Sequence, residues 1–305
     1  MTLATLDPLE RARQSLEGLS VGDAFGEQFF VHPDTILTMV TQRMPPKGPW
    51  EYTDDTEMAI SIVATLAENG EIDQDRLARA FAERFMANPW CGYGRAMHTL
   101  LPAIHRGASW QKLAQSLFGG MGSFGNGAAM RVAPLGAYCA ADLDRVVEQA
   151  TLSAEVTHTH VEGVAGAIAV AVAAAQAARL RGAQLVPRGA DFLDLILPYV
   201  PESEVRTGIE QARKVRSTLK ITNVVLRLGN GGAISAQDTV PYTLWCAAQH
   251  LDDFEAALWL TVSGLGDRDT TCAIVGGIVA AYVGVEGIPA KWRTRREALP
   301  DIQGR

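Results

Sequence analysis

Helical periodicity, with almost no strand pattern beside it, most constrains what this chain can fold into. Residues 8–20 set Leu9, Ala12, Leu16 and Leu19 on one helical face, and the pattern breaks into a glycine-bearing turn near Gly22. Residues 55–69 repeat it with Ala59, Ile62, Val63, Leu66 and Ala67, closed by Asn69 and Gly70. The same reasoning predicts helices near 74–87, 92–106, 127–139, 142–153, 160–181, 203–217, 239–250, 253–263 and 270–284. Short β-branched runs at 185–186 and 221–226 are strand candidates that do not amount to a sheet. The stretches 163–179 and 272–284 are Ala-rich and carry glycines, which permits close backbone approach and predicts central helices buried on most sides. Helices that must bury such faces pack on one another, so the expected fold class is all-α, a compact helical domain. No repeat, low-complexity tract or linker divides residues 1–305, and the proline-rich MPPKGPW at 44–50 reads as a surface loop. A single domain is therefore expected.

Composition narrows the function classes. A chain of 305 residues, 48% hydrophobic and 20% charged, suits a soluble globular protein with a sizeable core. Its net charge of −7 argues against a broad nucleic-acid surface but leaves room for a small phosphate pocket. Cys91, Cys139, Cys246 and Cys272 form no CxxC pair, which points away from a zinc knuckle or a disulfide framework. The N-terminal segment lacks a basic region before an apolar run, so no signal peptide is expected. The longest apolar runs, 163–175 and 272–285, fall short of the ~18 residues of a membrane span. The expectation is no membrane partner and a cytoplasmic location.

Two acidic clusters carry the chemistry. In YTDDTE, residues 52–57, Asp54 and Asp55 stand between Thr53 and Thr56 at a helix start. Asp54 followed by Glu57 matches a capping box, and acidic groups favour the positive end of a helix. A cap needs one oxygen side chain, however, and here there is an unbroken run of them. In GLGDRDTTCAI, residues 264–274, Asp267, Asp269 and Thr270 crowd a second helix start. Facing each other, the two clusters would offer hard oxygen ligands to a pair of cations ~3.5–4 Å apart that activates water. With no Cys or His inside either cluster, Mg²⁺ or Mn²⁺ suits the set better than Zn²⁺.

Other segments surround them. In GSFGNGAAMRVAPLG, residues 122–136, glycines precede a helix whose start carries Ala128 and Ala129, a small-residue approach of the kind found at phosphate sites. Arg131 would add a cation or support the site from below; a tight inter-helix turn is the plain alternative. In VTHTHVEGVAGA, residues 156–167, Thr157 reads as the cap of a helix beginning near His158. His158 and His160 do not share a helix face, so one would donate to a ligand while the other packs. In GLSVGDAFGEQFF, residues 18–30, Asp23 reads as structural and Glu27 as facing a cleft or solvent. The Gly/Ser-rich 228–245 stretch runs into a helix with Pro241 near its first turn, as a ligand-closing loop or a plain connector.

Taken in order, GDAFG, TDDTEM, GNGAAMRVAPLG, THTHVEG and GDRDTTCAI resemble the motifs of the ADP-ribosylglycohydrolase family, which includes the dinitrogenase-reductase-activating glycohydrolase. The resemblance covers a core of about residues 15–286. It implies a compact all-α fold with a binuclear Mg²⁺ or Mn²⁺ centre. By motif match Thr53, Asp54, Asp55, Asp267, Asp269 and Thr270 would be the metal ligands. Gly125, Asn126, Gly127, Ala128, Met130 and Arg131 would hold the diphosphate of ADP-ribose with His158. Gly229 and Ser235 would lie near the ribose or adenine side. Asp54 or Asp55 would orient or deprotonate a metal-activated water that cleaves ADP-ribose from a protein side chain or a small conjugate. The chain departs from the family in two places. Phe30 stands where many relatives carry a glutamate, which makes Glu27, one turn earlier, the candidate replacement. Arg268 stands where many relatives read GDTDT. A non-catalytic ADP-ribose-binding or structural relative, and a metal-dependent phosphoesterase acting on another nucleotide, are the competing readings.

Overall fold

The computed structural model describes residues 6–182 and 186–302. Among them the chain runs through α1 (Pro8–Glu27), α2 (Pro33–Gln42), α3 (Asp54–Asn69), α4 (Gln74–Ala87), α5 (Met97–His105), α6 (Trp110–Gly120), α7 (Ala133–Tyr138) and α8 (Leu143–Glu155). It continues through α9 (Val161–Leu180), α10 (Ala190–Asp194), α11 (Glu204–Ala212), α12 (Ile221–Leu228), α13 (Ala236–Gln249), α14 (Phe254–Ser263), α15 (Arg268–Val283) and α16 (Ala290–Arg295). Strand-like pairing among the described residues is confined to isolated bridges, Trp50 with Arg296 and Gly125 with Ser235. The all-α expectation holds.

The centre is the pair α1 and α15. Gly18, Gly22 and Gly26 lie one turn apart on α1, and a Cβ at any of them would overlap the backbone of α15 at Gly276, Cys272 and Arg268 respectively. The rising order on one helix meets the falling order on the other, so the two run antiparallel with their backbones in contact. This explains why α1 does not break near Gly22 as the sequence pattern predicts. Glycine costs a helix interior roughly 0.5–1 kcal/mol, and here close packing offsets that cost. The consequence for function is positional: the end of α1 meets the start of α15.

Phe25 and Phe29 fix the end of α1 in an aromatic cluster. Phe25 stacks on Trp292 with centroids 4.5 Å apart and meets Trp50 and Trp259 edge-on. Alanine-rich α9 fills the middle of the molecule. It is long and apolar enough to cross a membrane by length and composition, longer than the apolar run read from the sequence, yet 83% of its apolar window is buried inside the protein. Its close neighbours explain the small residues: a Cβ at Gly166 would press on Ala236 and Val240 of α13, and Gly136 of α7 lies against the carbonyl of Ala171.

Several local expectations are corrected. The helix predicted over 127–139 is a 3-10 turn at Asn126–Ala128 followed by the short α7. The 221–226 strand candidate is helical, with Val224 and Leu228 buried one turn apart. The 185–186 candidate includes Leu185, which lies outside the described residues. Helices α2, α6, α10 and α16 lie outside the predicted set. α2 buries little beyond Ile36, and α6 is interrupted by non-helical backbone at Leu117, Phe118 and Gly119.

Candidate active site

Asp23 organises the first acidic cluster. It is fully buried on α1, and its Oδ2 accepts from the backbone amides of Thr53 (2.9 Å) and Thr56 (3.1 Å) and from the Thr56 hydroxyl (2.6 Å). Thr53 Oγ1 lies 2.9 Å from Asp23 Oδ1 and 3.1 Å from Asp55 Oδ2, with one proton to share between them. The capping-box reading of Asp54 is therefore overturned. Thr53 occupies the cap position without a side-chain cap bond, and Asp23 does the capping from another helix. Glu57 instead pairs with Arg84 at 2.6 Å. Asp54 and Asp55 are left in the first turn of α3 with no capping duty, and the Asp54 amide donates to the carbonyl of Cys91.

The second cluster faces the first. Asp267 takes the cap position of α15, Asp269 sits in its first turn, and Thr270 is buried beside them. Burial pushes the Asp55 carboxyl well above its ordinary range, and the nearby charges of Asp23, Asp269, Asp54 and Asp267 push the same way. Asp54 is raised to about 8 by burial, with Asp23 and Asp267 adding to it. Asp269 is raised by burial and by Asp267 and Asp23. Asp23 rises to about 6, its desolvation partly offset by the threonine hydrogen bonds. Five carboxyl groups from three helices, those of Asp23, Asp54, Asp55, Asp267 and Asp269, thus share one electrostatic environment. Asp55 Oδ1 and Asp269 Oδ1 are buried without a hydrogen-bond partner. An orphaned carboxylate oxygen in a crowded anionic cluster is a cost that a bound cation removes. Among the described residues no group of three or more His, Cys, Asp or Glu side chains closes into a metal-holding set by itself.

The glycine segment adjoins the second cluster. Asn126 donates from Nδ2 to Asp267 Oδ2 (2.7 Å) and to Thr239 Oγ1 (3.1 Å). Gly125 pairs with Ser235, and the Ala236 amide donates to the carbonyl of Phe124. Asp267 donates its amide to the carbonyl of Asn230, and Gly231 sits against the Asp267 side chain. The 122–131, 228–235 and 264–270 segments are thereby joined. His158, 5% exposed, lies beside the glycines: a Cβ at Gly127 would come within 3.1 Å of its Nε2, and one at Gly125 within 3.3 Å.

The remaining sequence candidates fall in different places. Ala128 and Met130 are buried under the turn. Arg131 is fully buried behind His158, with its guanidinium 4.4 Å above the Phe81 ring. Gly229 packs on Asp238 at the end of α12. His160, not Thr157, caps α9, its Nδ1 accepting from the Glu162 amide. Glu27 ends α1 rather than lying in a turn after it. It is half-buried, its pKa raised by burial and lowered by Arg268. The two departures from the family pattern touch each other: Arg268 stacks its guanidinium 4.2 Å above the ring of Phe30, which is 47% exposed.

Sequence reasoning missed some of these groups. The hold of Asp23 on α3 lacks a local signal, because its partners lie thirty residues away. Phe118, in left-handed backbone, and Phe124 lie with ring centroids 5.8 Å apart beside the glycine turn. Their flanking glycines were the available hint.

Comparison with known proteins agrees with the geometry. The sequence model described as ADP-ribosylglycohydrolase matches residues 4–304. ADP-ribosylhydrolase ARH3 of Bos taurus is 30% identical, with 96% of this chain and 90% of that protein covered. ADP-ribosylhydrolase ARH3 of Gallus gallus is 29% identical, over 97% and 91%. ADP-ribosylarginine hydrolase Tri1 of Pseudomonas putida is 26% identical, over 95% and 75%. A solved structure titled ADP-ribosylglycohydrolase-related protein complex superposes with a TM-score of 0.60 at 24% identity, covering 94% of this chain and 92% of that one, which supports the fold. The chain belongs to the ADP-ribosylglycohydrolase family.

Proposed function

We propose that this protein hydrolyses the glycosidic bond between ADP-ribose and a protein side chain or small conjugate. The observation that carries the reading is the meeting of Asp54 and Asp55 with Asp267 and Asp269, with the Oδ1 atoms of Asp55 and Asp269 left unpartnered. Oxygen-only donors with orphaned carboxylate oxygens fit Mg²⁺ or Mn²⁺, and Thr53, Asp54, Asp55, Asp267, Asp269 and Thr270 are the residues that would hold two such ions. Bound there, the ions would supply charge stabilisation and an acidified water.

The chain's own residues do the rest. Asp23 holds α3 in place, so that Asp54 and Asp55 keep their positions during turnover. Asn126 ties the glycine turn to Asp267, which couples phosphate binding to the acidic cluster. In the reaction the water oxygen forms a bond to the ribose C1″ and loses a proton, while the bond from C1″ to the departing side chain or conjugate breaks. Asp54 or Asp55 would accept that proton at a carboxylate oxygen. Glu27, whose carboxyl burial favours the protonated form, would donate its proton to the departing side chain. Phe118 and Phe124 offer ring surface to a nucleobase beside the glycine turn.

The test is incubation with defined ADP-ribosyl conjugates of arginine, serine and acetate, with Mg²⁺ or Mn²⁺ present, and chromatography of the products. Free ADP-ribose from at least one conjugate is expected. Release of AMP or phosphate instead would turn the reading to a phosphoesterase. Binding of ADP-ribose without release from any conjugate would turn it to a non-catalytic relative.

A further inference from the structure

We propose that Arg131 is a positioning residue: through the Thr157 hydroxyl it fixes His158 with its proton on Nε2 and presents that N–H to a phosphate-class anion seated on the 125–127 turn. The identity of the anion as a diphosphate rests on the functional reading above, whereas the tautomer is a property of the ligand-free protein.

Donors and acceptors around Thr157 balance in one way only. Arg131 Nη2 donates to Thr157 Oγ1 at 2.8 Å and to the carbonyl of Ser153 at 3.2 Å. Thr157 Oγ1 lies 2.7 Å from His158 Nδ1. A guanidinium only donates, so Thr157 must accept from Arg131. The hydroxyl has one proton of its own, and His158 Nδ1 is the acceptor within reach among the described residues. If Nδ1 carried the ring proton instead, the threonine would accept from both sides and leave its own buried proton unpaired, which costs about as much as a lost hydrogen bond. Nδ1 therefore accepts, and a neutral ring then carries its proton on Nε2. The neutral form is itself favoured: burial, and next the Arg131 charge, lower the His158 pKa to about 3.

That N–H borders the glycine turn. Nε2 has no hydrogen-bond partner among the described residues and lies against Gly125 and Gly127, where a Cβ would come within 3.3 Å and 3.1 Å of it, so that only glycine leaves this edge of the ring uncovered. The ring is nine-tenths buried or more, so its N–H is held in place rather than free to rotate into water. Arg131 itself is fully buried, which makes direct contact with a ligand impossible without rearrangement. Its charge reaches the ligand through the threonine and the imidazole.

Two readouts test this. The first is ¹⁵N NMR of ring-labelled histidine in the ligand-free protein, with His158 assigned by its loss in His158→Gln. The expected signature is an unprotonated Nδ1 and a protonated Nε2. The second is calorimetric titration with inorganic pyrophosphate and with ADP-ribose. Thr157→Val should weaken both about tenfold, and Thr157→Ser should restore them to within about twofold of wild type, the size expected for one hydrogen bond to a charged group. Thermal melts confirm that both variants fold. A wild-type ring protonated on Nδ1 would overturn the proposal, as would a wild type that does not bind pyrophosphate. Unchanged affinity in Thr157→Val, or no rescue by Thr157→Ser, would overturn it too. Failure of the functional reading has a different appearance: the ring signature and pyrophosphate binding as expected, with no ADP-ribose released from any conjugate.

Discussion

Asp23 accepts the amides of Thr53 and Thr56 from a different helix, and that exchange frees Asp54 and Asp55 from capping while packing three acids close together. The electrostatic cost has a sign that can be measured. Asp23, Asp54, Asp55 and Asp269 all have raised pKa values in the fold, so the folded chain binds more protons than the unfolded one. Their contribution to stability is present below the ordinary aspartate value and is lost as pH rises through about 6 for Asp23 and about 8 for Asp54. In chelator, the melting temperature should fall between pH 5.5 and 8.5; Mg²⁺ or Mn²⁺ should restore it most at the alkaline end. A metal-free melting temperature that rises across that range would contradict this. At the same scale, Glu27→Gln should lower turnover ~10²–10⁴-fold if Glu27 moves a proton. We expect the lower part of that range, because Arg268 partly stabilises the ionised form. A loss of less than a few-fold in steady-state assays would leave the work to the aspartates alone. Asp54, Asp55, Asp267 and Asp269 were legible in the sequence because two helix starts shared one unusual composition. The role of Asp23 was not, since a cap borrowed from another helix leaves no local spacing to read.

The helices α1 and α15 are joined by contact between backbones, and the acidic clusters depend on that closeness. Gly22→Ala places a methyl group against the carbonyl of Cys272. Overpacking of this kind costs roughly 1–3 kcal/mol, and chemical denaturation should show at least that loss. Gly94→Ala, where the added carbon meets nothing within 4 Å, is the matched control and should be neutral. Equal effects of the two substitutions would mean that the contact is not what the glycines serve. The glycine turn has its own test. Gly127→Val crowds the His158 ring and should weaken ADP-ribose binding about tenfold or more, while metal-dependent stabilisation in thermal melts stays intact. Unchanged affinity would return the segment to a plain inter-helix turn. Periodicity revealed most helices but misplaced the end of α1, because glycine was read as a break where it serves as a contact surface. The glycines before Asn126–Ala128 likewise lead into a 3-10 turn and not into the predicted helix start. The stretch at 221–226 looked strand-like for its β-branched residues, yet the spacing of Val224 and Leu228 was the better signal.

Across the whole molecule, the fold holds two helix N-termini face to face and brings a glycine turn and a histidine up beside them. The all-α class was readable because no alternating pattern competed with the helical one. The sewing of the 122–131, 228–235 and 264–270 segments was not, since Asn126 to Asp267 and Gly125 to Ser235 are contacts between distant parts of the chain. Metal binding should therefore require α3 and α15 jointly. The most direct test is calorimetric titration of the metal-free protein with Mn²⁺, in parallel for wild type, Asp55→Asn and Asp269→Asn. The prediction is two ions per wild-type chain, with each single substitution lowering both the stoichiometry and the affinity although the residues lie on different helices. No binding by the wild type, or a loss confined to one helix's variant while the other binds normally, would contradict it.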